Sequence, residues 1–206
     1  MNKSRLEAFS DGMFAIVMTL LILDVRVPEV HVATNAELWQ NLLLLWPVVA
    51  TYFVSFAVLA VFWINHHLIF HLFVKEVDRK LNLLNLAYLM FVAFVPFSAH
   101  LLGNFHEFPV AALIYGVNIF IVVFLMRSMT QYVLRHKDQL AHDVPHRTIK
   151  QGRIRGVLTL SCYALGIVCS YFYIPASIFL YAFPVIFNMI PGTLDLAERV
   201  FKFSLD

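Results

Sequence analysis

Arg5-Leu6-Glu7-Ala8-Phe9-Ser10-Asp11-Gly12 places charged side chains at the threshold of an otherwise apolar run. The following residues, Met13 to Leu23, carry no formal charge and one hydroxyl group, that of Thr19. A helix that begins near Arg5 would place Asp11 about two turns inside it. An ionisable side chain at such a depth is costly unless it faces protein or water, and it is typically functional. The stretch therefore predicts a first membrane helix with a polar end.

Composition supports an integral membrane protein. Of the 206 residues, 61% are apolar, 14% are charged and 20 are Phe, which leaves too little polar surface for a soluble domain of this size. A helix needs about 20 residues to cross a bilayer, and the uncharged run after Gly156 is broken at Tyr173-Ile174-Pro175. We predict one all-α domain over residues 1–206 with six membrane-spanning helices, at about 6–26, 40–65, 82–103, 108–128, 154–173 and 175–193.

The distribution of basic residues predicts the orientation. Because cytoplasmic loops are enriched in Lys and Arg, both termini are expected in the cytoplasm. Arg26 alone falls on the other side, where acidic residues could attract cations or could simply be solvated loop residues; these acids are Asp24, Glu29, Glu37 and Glu107. The basic residues on the cytoplasmic side are Lys3, Arg5, Lys75, Arg79, Lys80, Arg127, Arg135, Lys137, Arg147, Lys150, Arg153, Arg155, Arg199 and Lys202.

The basic loop and the cysteines indicate no further chemistry. The loop from Arg127 to Arg155 favours attraction to anionic lipid, and it lacks the interleaved aromatics of a nucleic-acid site. Cys162 and Cys169 would be about 10 Å apart along one helix, beyond the reach of a disulfide. The sequence contains no Cys-x-x-Cys, glycine-rich phosphate loop, Gly-x-Ser-x-Gly or His-Glu-x-x-His, so we expect neither an enzyme nor a cofactor.

Histidines lie at the cytoplasmic end of the second span, in Trp63-Ile64-Asn65-His66-His67 and at His71. His67 and His71 are one turn apart, but no third ligand is evident nearby, so we predict no metal site. Buried histidines more often make structural hydrogen bonds, and Ser10 and Asp11 lie at the same depth. We therefore expect a buried polar cluster that joins the first three spans, made of Arg5, Ser10, Asp11, Asn85 and either His66 or His67.

The first helix also has a second face. At 100° per residue, Ile16, Leu20 and Leu23 share one stripe with Thr19 beside it, whereas Asp11 points about 140° away from Ile16. One side of the helix can thus be attached to its own subunit while the other remains free. An apolar stripe usually faces lipid or a neighbouring helix, so the stripe alone does not define a function.

The pattern Arg5-x-x-x-Phe9-Ser10-Asp11-Gly12, with Trp63-x-x-His66-His67 and Asn85 followed by Pro96-Phe97, resembles the transmembrane protein 175 family of potassium channels in its single-repeat prokaryotic form. The resemblance covers the first three spans. It implies a cation channel in a prokaryotic plasma membrane, without a cofactor, that prefers potassium to sodium modestly. It also implies a homotetramer in which the first helix of each subunit lines a central pore.

The resemblance further implies roles for individual residues. Ile16 corresponds to the hydrophobic constriction of the family, Thr19 to the threonine implicated in cation preference, and Leu20 and Leu23 to the next layers. No Thr-Val-Gly-Tyr-Gly filter sequence is present. Two alternatives remain: a proton- or cation-coupled transporter that uses Asp11, His66 and His67, and a non-conducting scaffold or membrane enzyme. Against the transporter, no inverted repeat is evident between the two halves.

Overall fold

The structure, a computed structural model, describes residues 2–27, 33–136, 141 and 145–189. Positions 190–193 of the predicted sixth span lie outside these residues, as do Glu29, Lys137, Arg199 and Lys202. The described chain is all-helical. Its α-helices are α1 (Lys3–Leu20), α2 (Asn35–Leu44), α3 (Trp46–Leu68), α4 (Arg79–Ala93), α5 (Val95–Asn104), α6 (Pro109–Arg135), α7 (His146–Cys169) and α8 (Ile174–Met189). A 3₁₀ turn (Leu21–Asp24) extends α1, and a π-helical turn (Ile69–Phe73) extends α3.

Five helical segments are long and apolar enough to cross a membrane, and they correspond to the first five predicted spans. They are Lys3–Asp24, Trp46–Phe73, Arg79–Asn104, Pro109–Arg135 and His146–Cys169. The helix α8 is also apolar but has 16 described residues, which cover about 24 Å of a hydrocarbon layer about 30 Å thick. The chain is therefore an all-helical, multi-pass membrane protein.

Two prolines interrupt helices that the sequence predicted as continuous. The predicted span 40–65 is divided at Leu45, because Pro47 in the first turn of α3 has no N–H group to donate to the Leu43 carbonyl, and its ring would collide with that carbonyl in a continuous helix. Phe94 ends α4 in the same way, with Pro96 in the first turn of α5. Consequently α2 is a separate helix with no buried residue.

Two helices extend beyond their predicted ends. The helix α6 continues past the predicted span end at 128, to Arg135, and α7 begins at His146, before the predicted span start at 154. Both extensions contain Arg, Gln or Lys, which are good helix formers that hydropathy does not mark as membrane-spanning. The two helices therefore project past the apolar layer at the same end of the bundle.

The centre of the bundle is α6, which packs against α4, α5, α7 and α8. Its contact with α7 and α8 is built around the ring of Tyr181, whose hydroxyl donates a hydrogen bond to the Ala112 carbonyl at 3.1 Å. Gly116 on α6 and Gly166 on α7 flank this ring, and a Cβ atom at either position would collide with it. These glycines are required for the close approach of the three helices.

The first helix packs differently, because it contacts α3, α4 and α5 along one side only. Leu6, Ser10, Phe14, Val17 and Leu21 form its buried stripe, and each is at most 3% exposed. They recur every three or four residues, as expected for a single helix face. The opposite side of α1 is not covered by the described chain.

Candidate functional site

The uncovered side of α1 carries the residues that the sequence placed on the second stripe. Ile16 is 57% exposed, Leu20 44% and Leu23 56%, and Thr19 is exposed between them. The described chain leaves this row of large apolar side chains about half exposed. A lipid tail, a neighbouring helix or a narrow aqueous path could each lie against it.

Thr19 presents an oxygen atom on this otherwise apolar face. Its Oγ1 lies 2.8 Å from the Ile16 carbonyl and 2.9 Å from the Ala15 carbonyl, so the single hydroxyl hydrogen is donated to the helix backbone. The lone pairs of the oxygen remain available as acceptors. The Thr19 hydroxyl can therefore contact a cation without losing a hydrogen bond.

A buried triad of Ser10, His66 and Asn85 fixes the opposite face of α1 to α3 and α4. His66 Nε2 donates to Asn85 Oδ1 at 2.7 Å, and Asn85 Nδ2 donates to Ser10 Oγ at 3.1 Å. Ser10 Oγ in turn donates to the Leu6 carbonyl at 2.9 Å. All three side chains are at most 1% exposed, so each depends on the others for its hydrogen bonds.

Aromatic rings enclose the histidine of this triad. His66 stacks on Phe70 with ring centroids 4.5 Å apart and on Tyr88 at 5.6 Å, while Phe14 lies 6.0 Å away. Sequence reasoning missed this enclosure. Two spacings could have indicated it, because Phe70 follows His66 and Phe14 follows Ser10 by one helical turn.

Asp11 and His67 of the predicted cluster lie instead at the surface, in a group that we call the rim cluster: Asp11, Trp63, His67 and His71. Trp63 Nε1 donates to Asp11 Oδ1 at 2.9 Å, and the Trp63 ring stacks on His67 at 6.0 Å. His67 stacks on His71 at 5.4 Å with nearly parallel rings. All four side chains are exposed in the single chain.

The expectation of one buried cluster is thus corrected, because the structure divides it into the triad and the rim cluster. Ser10 and Asp11 are adjacent in sequence but about 100° apart around the helix, so they cannot share one buried contact. Arg5 is exposed and makes no hydrogen bond or ion pair with the described residues, and Phe9 is 50% exposed. Neither Arg5 nor Asp11 is therefore buried by the described residues.

Metal ligation has little support in this geometry. Among the described residues, no group of three or more His, Cys, Asp or Glu side chains is arranged to hold a metal ion. The parallel stacking of His67 and His71 orients their ring faces, rather than their nitrogen atoms, toward each other. Cys162 and Cys169 are both free thiols.

At the other end of the span that begins with α1, Asp24 closes the 3₁₀ turn and meets α5. His100 Nδ1 lies 3.1 Å from Asp24 Oδ1, and Asn104 Nδ2 donates to the His100 carbonyl at 3.0 Å. Sequence reasoning identified Asp24 as part of an acidic rim but missed His100. The sequence could have indicated this contact, because His100 lies near the end of the third predicted span, on the same side of the membrane as Asp24.

Together these features define a class: an all-helical membrane protein in which a polar triad fixes one helix and leaves an apolar stripe of that helix open. Known proteins of this kind match the chain. The family described as endosomal/lysosomal potassium channel TMEM175 matches residues 5–96. A potassium channel of Streptomyces collinus is 37% identical over 172 residues, which cover 81% of this chain and 82% of that protein.

Two further comparisons agree. The endosomal/lysosomal proton channel TMEM175 of Gallus gallus is 39% identical over 113 residues, 52% of this chain and 22% of that protein. The crystal structure of a lysosomal potassium-selective channel TMEM175 homolog from Chamaesiphon minutus matches with a TM-score of 0.78 and 29% identity, covering 91% of this chain and 96% of that one. The chain belongs to the TMEM175 family, which confirms the resemblance drawn from its first three spans.

Proposed function

We propose that this protein is a cation channel that selects potassium over sodium modestly, through a hydrophobic constriction on α1. The observation that carries the proposal is the uncovered stripe of Ile16, Thr19, Leu20 and Leu23 on a helix whose other face is fixed by the buried triad. Membership of the TMEM175 family supports conduction, since its bacterial relative is named a potassium channel.

The proposed pore requires several subunits, because one stripe on one helix cannot enclose a path. Four copies around an axis can, so we propose a homotetramer with α1 of each subunit at the centre. Arg5, Phe9, Asp11 and Trp63 are exposed in the single chain, and charged groups at membrane depth favour a polar partner. A neighbouring subunit would supply one. We further propose six spans, with α8 as the sixth, and cytoplasmic termini.

Conduction would depend on the width and wetting of the pore. Four Ile16 side chains would form a short hydrophobic neck that passes ions poorly when dry and better when it widens and fills with water. Thr19 oxygens beside it would replace part of the hydration shell of a cation, while Leu20 and Leu23 would form the next layers. Few fixed dipoles would face the ion, so the selectivity should be weaker than in a filter of backbone carbonyls.

The proposed partners are potassium ions, membrane lipid and copies of the same chain. Ions would move passively, so the function needs no cofactor, catalytic residue or nucleic-acid partner. We place the whole chain, as one channel domain, in a prokaryotic plasma membrane, because relatives such as that of Streptomyces collinus are bacterial.

The deciding experiment measures current from purified protein in liposomes with potassium on one side and sodium on the other. A channel of the proposed kind gives a current that reverses between zero and the potassium equilibrium potential, displaced toward the latter. Cross-linking of the same preparation should give a tetramer. Absence of current from correctly assembled protein contradicts the function, and a conducting monomer contradicts the shared pore.

A coupled transporter that uses Asp11, His66 and His67 is the alternative. In the structure, His66 belongs to the buried triad, whereas Asp11 and His67 belong to the rim cluster, so the three do not form a single relay. A proton gradient imposed on the liposomes distinguishes the two mechanisms. Potassium uptake against its own gradient would indicate coupling, whereas a shift of reversal potential with pH would indicate proton permeation, as the name of the Gallus gallus relative suggests.

A further inference from the structure

At the end of the bundle where α1 begins, the side chain of Arg127 on α6 reaches the backbone of Arg153 on α7. Arg127 Nη1 donates to the Arg153 carbonyl at 3.3 Å. In the amide orientation that satisfies both groups, the Gln131 side-chain oxygen accepts from Arg127 Nε at 3.2 Å and Nη2 at 3.3 Å. Gly156 provides the room, because a Cβ atom there would lie 2.9 Å from Arg127 Nη1. The guanidinium of Arg127 is therefore held against the surface of α7.

These charges have no carboxylate partner in the described part of the chain. Ion pairs such as Lys3 with Glu7 and His100 with Asp24 do not involve Arg127 or Arg153. Both contacts of Arg127 are to neutral oxygens, and its side chain is half-buried. A partly desolvated guanidinium with neutral partners keeps its attraction for an anion, and the N–H groups that these contacts leave free on Nη1 and Nη2 can donate to phosphate oxygens.

The depth of this pair corresponds to lipid headgroups. The 27 residues of α6 span about 40 Å, roughly 10 Å more than the hydrocarbon layer. Arg127 lies eight residues before the end of α6, or about 12 Å from it, and Arg153 lies seven residues after the start of α7. Both arginines thus fall near the boundary between the hydrocarbon and the headgroups, on the side where basic residues accumulate.

Exposed apolar surface continues from both arginines toward the membrane centre. On α7, Val157, Ala164 and Val168 lie within about 60° of Arg153, and all three are exposed. On α6, Phe124 is 53% exposed and lies one turn from Arg127 toward the membrane centre. Arg127 lies above the stripe on α6, and Arg153, whose backbone it contacts and whose side chain is exposed, lies above the stripe on α7. Two basic residues so placed complement a molecule with an anionic head and hydrocarbon tails.

We propose that Arg127 and Arg153 form a specific site for an anionic phospholipid, with the phosphodiester on the two guanidiniums and the acyl chains along Phe124 and Val157. The apolar stripes favour a lipid over a free phosphate ion. Such a site differs from the general attraction of a basic loop for anionic lipid, because it depends on the geometry at Gly156. It is independent of ion conduction, since none of these residues belongs to α1.

The test uses purified protein from vesicles of equal parts phosphatidylglycerol and phosphatidylcholine, with bound lipids counted by native mass spectrometry. The wild type should retain phosphatidylglycerol over phosphatidylcholine by roughly tenfold. Arg127→Gln with Arg153→Gln should bring the ratio close to one. The matched control is Lys75→Gln with Arg79→Gln, which removes two exposed basic residues from the same end and should keep the wild-type ratio.

Two more variants separate geometry from charge and from misfolding. Gly156→Ala keeps every charge but displaces the Arg127 guanidinium, so it should also lower the ratio. Arg153→Gln alone changes an exposed side chain and should give an intermediate ratio with an unchanged elution profile. The proposal is overturned if the double arginine variant keeps its preference or if the control pair loses as much. Displacement of the lipid by millimolar inorganic phosphate would likewise overturn it, in favour of a small-anion site.

Discussion

The helices α1 and α6 look alike in sequence and have opposite places in the fold. Both belong to long apolar segments. Of the apolar stretch in the segment that contains α1, 28% is buried, whereas 44% is buried in α6. The helix α6 is surrounded by neighbours, whereas α1 is attached along one stripe and open along the other. Hydropathy therefore identifies a membrane helix. Only packing shows which helix has one face that its neighbours leave uncovered and therefore available for function.

The largest expected effect is a loss of stability on α6, where the helices are packed most closely. Gly116→Ala puts a methyl group into the ring of Tyr181, and overpacking of this kind costs about 3 kcal/mol. Thermal unfolding in detergent should shift down by roughly 6–12 °C for a protein of this size. Gly166→Ala, on the other side of the same ring, should behave alike.

The control is the same substitution on the open side of α1. A Cβ atom at Gly12 would have no neighbour within 4 Å, and Ala is the better helix former by about 1 kcal/mol. Gly12→Ala should therefore leave the melting temperature unchanged or raise it slightly. A loss as large as that of Gly116→Ala would mean that the assembled protein packs the open face of α1 as tightly as the centre of α6.

The sequence allowed the two faces of α1 to be predicted because a polar marker distinguishes them. Ser10 and Asp11 interrupt the apolar pattern near one end, so helical geometry separates their side from that of Ile16. No comparable marker showed that α6 is central, since its apolar residues occur on all sides. Membrane helices can face lipid or protein with the same residues, and composition does not separate the two cases.

The second prediction concerns the buried triad. Asn85→Ala leaves His66 Nε2 and Ser10 Oγ without their partner in a site that is closed to water. An unsatisfied buried group costs about 1–3 kcal/mol, so we expect a loss near 2 kcal/mol in the free energy of unfolding. Asn82→Ala is the matched control, because Asn82 lies one turn earlier on α4 and its Oδ1 has no partner among the described residues.

Denaturant or thermal unfolding in the same detergent measures the loss of stability of the two variants, which should be larger for Asn85→Ala than for Asn82→Ala. Equal losses for Asn82→Ala and Asn85→Ala would contradict the role of the triad as the attachment of α1. The sequence suggested which residue types form this attachment but not which of them are buried together. That separation depends on the rotation of α1 against α3 and α4, which adjacent positions such as Ser10 and Asp11 do not reveal.

The third prediction concerns ion conduction along the open face of α1. Ile16→Asn would place amide groups at the proposed constriction, which favours water and lowers the dewetting barrier. Single-channel conductance in liposomes should rise several-fold, and the preference for potassium should fall. Ile22→Asn is the control, since Ile22 lies about 120° around the helix from Ile16 and should mainly disturb insertion or packing.

A cysteine scan from Gly12 to Asp24 extends this comparison around the whole helix. A water-soluble thiol reagent should block current at positions 16, 19, 20 and 23 and leave the buried stripe of Phe14, Val17 and Leu21 unaffected. Block without a helical period, or none at Ile16, would remove α1 from the conduction path and leave the uncovered stripe as a lipid-facing surface.

The smallest expected effect belongs to Thr19. Thr19→Val keeps the shape of the side chain but removes the oxygen that could contact a dehydrated cation. If the four Thr19 oxygens of the proposed tetramer together favour potassium over sodium by about 0.6 kcal/mol, the potassium-to-sodium permeability ratio should fall roughly threefold. Thr51→Val on α3 is the control, because its hydroxyl also bonds a backbone carbonyl of its own helix, at 2.8 Å, but lies away from the stripe. Bi-ionic reversal potentials measure both variants, and an unchanged ratio for Thr19→Val, or the same fall for Thr51→Val, would assign selectivity to a part of the molecule other than the open face of α1.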